Sequence, residues 1–495
     1  MAKRAKLVLL VFAISASLAI AIGATLLRRT SVRPLDKISL YYPFSFRENL
    51  NPLNVFSVGD QVLSEHLFGF HARTSIKSGF ESLLSDVTIE STAGILTVKP
   101  KYQINSADGS LLSFESICNS IKTSMAGTRH APYGSILNNV VCDKEKPEIK
   151  ISFKKIPVNL RFLLTLPDFC LVDPEFVPMT KESALKASTG PYYLKSIADG
   201  MANLSINLHY PSDLRANSIP DLELINYKAG NSLAFIESMS PKVQHGAYFF
   251  GFSINQVAIE NLKSKGYTVE LFPTEWFVYL VAREGLSSEV RSNLLKILEN
   301  FKQSKSMQES LGSPAHSIAP SDRQFSLKKD NDVATQSGQI SISKYPIKIT
   351  TLKSWIDNPF FKVTIEEIKK YFPNLEIELL DPSDSKRLFS YDTMLTLAPL
   401  GISPTDPLTH FSFLESALSG FDKIISKDEI ARASIIDDES EFNKTIQNLE
   451  RKVVQSKLLM PIAHFPGVIA YRKDFKIDQN IAFGWGLQAW AFQVD

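Results

Sequence analysis

The chain has 495 residues, 44% of them apolar, with 54 Lys+Arg against 52 Asp+Glu and three cysteines. Setting aside the six basic residues ahead of Asp36 leaves 48 Lys+Arg against 52 Asp+Glu for residues 34–495, a weakly acidic body. No stretch is basic enough to neutralise a run of phosphates, which excludes nucleic-acid binding, and the apolar content suffices for about two or three domain cores.

The N-terminus carries Lys3, Arg4 and Lys6, then an uncharged, mostly apolar run over residues 7–27, closed by Arg28 and Arg29. A basic head before an apolar run reads as an export signal, and about 20 apolar residues suffice to span a bilayer as a helix. Ala19-Ile20-Ala21 offers a small-residue cleavage pattern. The run is therefore expected to be either a cleaved signal peptide or an inner-membrane anchor, and basic residues on both flanks leave its orientation open. No Cys follows closely enough for lipid attachment. Cys118, Cys142 and Cys170 allow at most one pair, and Cys118 with Cys142 stands open between a disulfide and two small buried side chains.

Further along, residues 37–42 predict a strand, and residues 86–104 a hairpin turning at Thr92-Ala93-Gly94 with period-two patterning on either side. Asp108-Gly109 marks a turn and Ser113 caps a helix running to about Met125. A strand follows near residues 149–153, and helices are expected over 288–304, 364–371 and 440–456. Gly, Pro and Ser cluster over 312–345 as a long connection. Strands and helices mix without regular alternation, which predicts several mixed α/β domains.

Motifs for chemistry are sparse. No phosphate-binding GxxxxGK[ST], HExxH or GxSxG occurs, and Gly484-x-Gly486-x-x-Ala489 leaves no room for a βαβ unit after it. His66 and His71 stand five apart, a spacing that does not stack on one helix face, and read as surface or loop histidines rather than metal ligands. Asp437-Asp438-Glu439, with Glu441 beyond, reads as a solvated acidic face. No catalytic residue, metal site or cofactor is indicated.

Several segments, in order, resemble the bacterial extracellular solute-binding proteins of family 5, the peptide- and nickel-binding receptors of ABC importers. The most specific is Ser188-Thr189-Gly190-Pro191-Tyr192-Tyr193-Leu194, similar to the family's turn into a strand. Leu50-Asn51-Pro52 with the helix-like residues 62–68 resembles another segment, with Asn51 in place of an Asp. Residues 92–125, 276–295, 312–320, 391–411 and 459–471 resemble further ones.

The resemblance implies an α/β fold of two lobes joined by a hinge, closing on ligand at their interface, with an additional domain inserted in lobe I and one N-terminal apolar helix ahead of it. The expected division is residues 1–33 as signal or anchor; 34–60, 170–275 and 465–495 as lobe I; 61–169 as the insert; and 276–464 as lobe II. Implied ligand-binding residues are Tyr41, Trp276, Tyr279, Ser403, Asp406 and His464. Each also has a plainer reading: core aromatics for Tyr41, Trp276 and Tyr279, turn residues for Ser403 and Asp406, and an interior histidine for His464. Trp485 and Trp490 are expected to pack lobe I.

Three departures bear on the ligand. Ser403 stands where peptide-binding members carry an acid that meets the peptide amine, Pro399-Leu400 replaces a Gly-Trp pair, and Ala282 stands where an Asn is frequent. A buried ammonium without its acid costs several kcal/mol, so ordinary peptides do not follow from the scaffold. The expectation is a non-enzymatic extracytoplasmic receptor passing a small polar, peptide-like solute to an ABC importer permease. The alternative is a membrane-tethered sensor or adaptor; an exported hydrolase ranks last for want of a nucleophile or metal pattern.

Overall fold

The computed structural model describes residues 37–43, 46, 49–53, 58–73, 80–90, 92–126, 136–155, 164–198, 200–214, 221–227, 235–237, 246–250, 254–317, 340, 342–356, 358–381, 384, 387–388, 394–401, 407–417, 420–472, 475–477 and 492–494. The N-terminal apolar run, Trp485 and Trp490 lie outside them. Among the described residues no helix is long and apolar enough to cross a membrane.

Strand β1 (Lys37–Tyr42) turns Ile38, Leu40 and Tyr42 into one core. Helix α1 (Val58–Leu67) adds Val62, Leu63 and Leu67 to that same core. A separate antiparallel sheet follows, built from β2 (Ser85–Glu90), β3 (Ile95–Pro100), β4 (Leu137–Asp143) and β5 (Glu148–Phe153) in the order β2-β3-β5-β4. The β2–β3 turn places Gly94 at φ 66, a left-handed conformation that glycine adopts without steric cost. Helix α2 (Phe114–Ala126) covers this sheet, turning Ile117, Cys118, Ile121 and Met125 inward at helical spacing. Its N-terminus is capped as expected: Ser113 Oγ accepts from the Ser116 amide at 2.9 Å.

The chain then forms β6 (Tyr192–Ala198), β7 (Met201–Ile206), β8 (Asp221–Asn226) and β9 (Gly246–Phe249), followed by α3 (Gln256–Ser264) and the 16-residue β10 (Tyr267–Ala282). The second half holds α4 (Ser288–Lys302), β11 (Ile347–Leu352), α5 (Pro359–Tyr371), β12 (Leu375–Leu380), β13 (Leu395–Gly401), α6 (Pro407–Ala417), α7 (Lys427–Ala433), α8 (Glu439–Ser456) and the 14-residue β14 (Leu459–Arg472). Caps set the helix starts. Ser287 Oγ accepts from Val290 N, and Asp438 Oδ1 from Glu441 N at 2.8 Å. Asn358 caps α5 with Pro359 at its first position, which starts that helix earlier than residue 364.

One large sheet runs β6-β7-β8-β1-β9-β14-β10-β13-β11-β12. Strands β8, β1 and β9 are parallel neighbours, as are β12, β11 and β13. The two long strands β10 and β14 run antiparallel through both halves. Residues 267–272 of β10 pair with 467–472 of β14, on the side where β9 joins. Residues 276–281 pair with 459–465, on the side where β13 joins. Between these stretches the register shifts: residues 273–275 of β10 stand against Pro466 alone. Pro273 and Pro466 have no amide hydrogen to offer a ladder, so the interruption follows from the sequence.

The cores divide accordingly. On the first side, α1 covers one sheet face, and α3 covers the other with Tyr227, Tyr248, Phe250 and Tyr267. On the second side, α4 and α5 cover one face and α6, α7 and α8 the other. Burial on both faces explains why residues 277–282 of β10 and most of β14 are apolar without alternation. The four-stranded unit has its own core of Leu96, Val98, Ile121, Ile149 and Phe169 among others.

Two sequence expectations change. His66 and His71 are both fully buried rather than on the surface: His66 Nδ1 meets the Val62 carbonyl at 2.7 Å, and His71 Nδ1 meets Ser85 Oγ at 2.8 Å. Tertiary packing supplies these neighbours, which five-residue spacing does not reveal. The pairing left open for cysteine is settled: Cys118 on α2 and Cys142 on β4 form a disulfide, with Cα atoms 6.3 Å apart. Cys170 is buried and free, and burial pushes its thiol pKa up. Converting Cys118 and Cys142 to alanine is expected to cost about 2–4 kcal/mol, because the bridge closes a loop of about 25 residues in the unfolded chain. Urea unfolding of the oxidised protein and the double variant measures this, and thiol titration of the unfolded native protein should count one free thiol.

Candidate ligand site at the lobe junction

The place where both halves of the sheet meet is the crossing of β10 and β14, and two of the expected site residues, Trp276 and His464, lie there. Trp276 is the first β10 residue past the register shift; its backbone pairs with Phe465 of β14 and Gly401 of β13. Beyond Gly401 the chain enters the segment holding Ser403 and Asp406, which lies outside the described residues, and returns at Pro407 as the first residue of α6. His464 pairs with Phe277 and with Ser313. Trp276, His464 and the entry to the Ser403–Asp406 segment therefore share one end of the second half-sheet.

His464 is anchored there. Its Nε2 lies 3.1 Å from the Ser317 carbonyl, and a carbonyl only accepts, so Nε2 carries the proton. Ser317 in turn donates through Oγ to Glu450 Oε2 on α8 at 2.6 Å, with both side chains buried. This bond ties Ser317 to α8. The rings of Phe277 and His464 lie 5.8 Å apart, and those of Phe277 and His410 6.1 Å. His410, on the first turn of α6, was not singled out by sequence. It is buried, its Nε2 has no hydrogen-bond partner among the described residues, and desolvation lowers its pKa to about 3. Its signal was a histidine just after the Asp406-Pro407 helix start, which carried no pattern of its own.

Tyr279 and Tyr41 sit differently. Tyr279 is fully buried, its ring 5.1 Å from Phe277, in the core under α6 and α8. Its hydroxyl has no hydrogen-bond partner, and burial raises its pKa. Tyr279→Phe is expected to leave stability unchanged or raise it by up to about 1 kcal/mol, since the lost hydroxyl made no bond to offset its desolvation; urea unfolding of the variant reads this directly. Tyr41 lies on the first side of the sheet, its ring stacked on Tyr248 at 4.4 Å and 17°. It faces the α3 side with Tyr248 and Phe235. Through Tyr248 it is level with Ala470, about 20 Å along β14 from His464 at strand spacing. The structure thus brings Trp276 and His464 together and leaves Tyr41 on the other side of the crossing.

Among the described residues no group of three or more His, Cys, Asp or Glu is placed to hold a metal ion. Two long strands are shared by two half-sheets with a break where they cross, and known structures share this fold. An oligopeptide-binding protein of an ABC transporter from Borrelia burgdorferi superposes with a TM-score of 0.76 at 13% identity, covering 93% of this chain and 100% of that one. The murein tripeptide-binding protein from Escherichia coli gives 0.75 at 13% identity, covering 93% and 98%. NikA from Staphylococcus aureus, solved in complex with Ni(L-His)2, gives 0.72 at 14% identity, covering 93% and 100%. The fold is that of the family 5 solute-binding proteins, at low sequence identity. No protein-family model matches the chain, and no curated protein matches it in sequence.

Proposed function

We propose that this chain is an extracytoplasmic solute-binding receptor that encloses a small polar, peptide-like solute between two lobes and passes it to an ABC importer permease, with no catalytic step. The observation that carries this reading is the crossing: two long strands serve both half-sheets and lose their register at Pro273 and Pro466. A break of that kind gives a hinge, because few ladder bonds resist rotation there. The proposed lobes are residues 34–60, 170–275 and 465–495 with the insert 61–169, and residues 276–464; α1, which spans the 60/61 boundary, packs into the core of the first lobe. The Cys118–Cys142 bridge supports an oxidising compartment. Of the implied ligand contacts, Trp276, Ser403, Asp406 and His464 are the ones proposed, Tyr41 and Tyr279 being packed in aromatic cores, and residues 7–27 are proposed to act as signal or inner-membrane anchor. The solute is not set by the scaffold, since the similar structures hold ligands ranging from a nonapeptide to a nickel–histidine complex.

A thermal-shift screen with peptides, amino acids, opines, sugars and nickel complexes tests the reading. A ligand at 100 times its Kd stabilises by about 2.7 kcal/mol, a readable rise in Tm. A well-folded sample that no solute stabilises would count against it. Ser403 in place of the acid favours a second reading, a tethered sensor that keeps the fold without transport. Co-purification with an importer permease would eliminate that reading.

A further inference from the structure

The four-stranded unit and the second half of the molecule meet at a point that no ladder or core accounts for. Lys155, just past β5, places its Nζ 2.9 Å from Asp437 Oδ1, just ahead of α8. The two residues are 282 positions apart in sequence, and the groups stay half-exposed, with side-chain exposures of 48% and 58%. Beside the pair lies a crevice of about 560 Å3 lined by Lys155 on one side and by residues of α7, α8 and their connection on the other, among them Arg432, Ile436 and Asn448. Among the described residues the contact is therefore an ion pair beside a crevice and not a packed interface. The side facing Lys155 carries both signs, Glu429, Arg432, Glu441 and Lys452 in the crevice with Asp437 beside it, and Lys452 is paired with Glu429. Asp438 is occupied in capping α8, which leaves Asp437 to reach across.

We propose that Lys155 and Asp437 form an electrostatic latch that favours the arrangement in which the four-stranded unit, carried by lobe I, meets lobe II. The latch rests on the hinge proposed above, since a pair between parts that never separate would have nothing to hold. An exposed pair is worth a factor of about two to five in an equilibrium, enough to bias closure and too little to prevent opening. It lies away from the β10–β14 crossing in sequence and uses none of the proposed ligand contacts, so it acts on solute-free protein.

The test measures distance between spin labels, one on β4 and one on the exposed face of α8, in the solute-free full chain. Lys155→Glu or Asp437→Lys alone should shift the population about two- to fivefold or more toward longer distances. The exchange Lys155→Glu/Asp437→Lys should restore the native distribution, and 1 M salt should erase the differences between variants by screening. Single reversals that leave the distribution unchanged, or an exchange that fails to restore it, would overturn the latch. Because no solute is present, a failed ligand screen bears on the receptor reading and leaves this readout intact.

Discussion

At pH 5 the protein is expected to be about 6 kcal/mol less stable to urea than at pH 7, with most of the loss coming from three buried histidines. Desolvation lowers the pKa of His66 and His71 to about 4 and that of His410 to about 3. For His66 a bond to the Val62 carbonyl partly opposes that shift. The unfolded chain binds these protons near pH 6.5, while the folded chain stays neutral until its own, lower pKa values. The unfolded state therefore carries more protons through this window, and stability falls as pH falls. Each histidine contributes roughly 2 kcal/mol of loss by pH 5. Carboxylates held low by bonds and opposite charges, such as Asp221 beside Ser205 and Glu429 beside Lys452, lose their contribution only at lower pH. The two sets are thus separated by where the loss begins. His410→Phe keeps a ring in place and gives up no hydrogen bond of its Nε2, so it should remove about a third of the loss between pH 7 and pH 5. An unchanged urea midpoint between those pH values would show that these histidines are not buried as described.

Gly190→Ala is expected to destabilise the fold by about 4 kcal/mol or more, in the range reserved for severe steric defects. A Cβ at Gly190 would lie 2.6 Å from Phe68 N and 2.7 Å from both Leu67 C and Phe68 C, all of them backbone at the end of α1. Backbone cannot step aside as a flexible side chain does. The position is held from several directions: Gly190 N donates to Leu67 O at 2.9 Å, Asn207 Nδ2 donates to Gly190 O at 2.9 Å, and Asn207 N donates to Pro191 O at 2.8 Å. Thr189 Oγ1 accepts from Gly69 N at 3.0 Å, just past the same helix. The turn into β6 is thus locked over the C-terminal end of α1. A urea midpoint within experimental error of the native value would show that this close approach does not exist.

That turn also shows what sequence could and could not disclose. Gly190-Pro191 announced a bend, and Tyr192 and Leu194 announced a strand, because those signals are local. The reason for the glycine is a helix more than 120 positions earlier, which no local reading supplies. The helix start at Ser113 was legible, since a cap is satisfied within three residues, whereas Asp438, read as part of a solvated acidic face, turns out to cap α8. Parts of the long strands were marked only by resemblance, through residues 276–295 and 459–471, and their sharing between two half-sheets depends on register. The prolines at 273 and 466 were in plain view, yet they acquire meaning only once β10 and β14 are paired. Of the candidate site, Trp276 and His464 come together at the crossing, Tyr41 and Tyr279 sit in aromatic cores, and Ser403 and Asp406 lie outside the described residues. Burial of His66, His71 and His410 was invisible because a histidine's environment is set by what packs on it, not by its spacing.

Native mass spectrometry of the protein purified from its own source tests the central claim most directly. A two-lobed receptor that encloses its solute should emerge with a discrete added mass at one per chain, lost on denaturation and identifiable as a small polar compound. The same spectrum gives the mature N-terminus. A chain that emerges at its bare mass, and that none of the screened solutes returns to a bound state, would contradict the receptor.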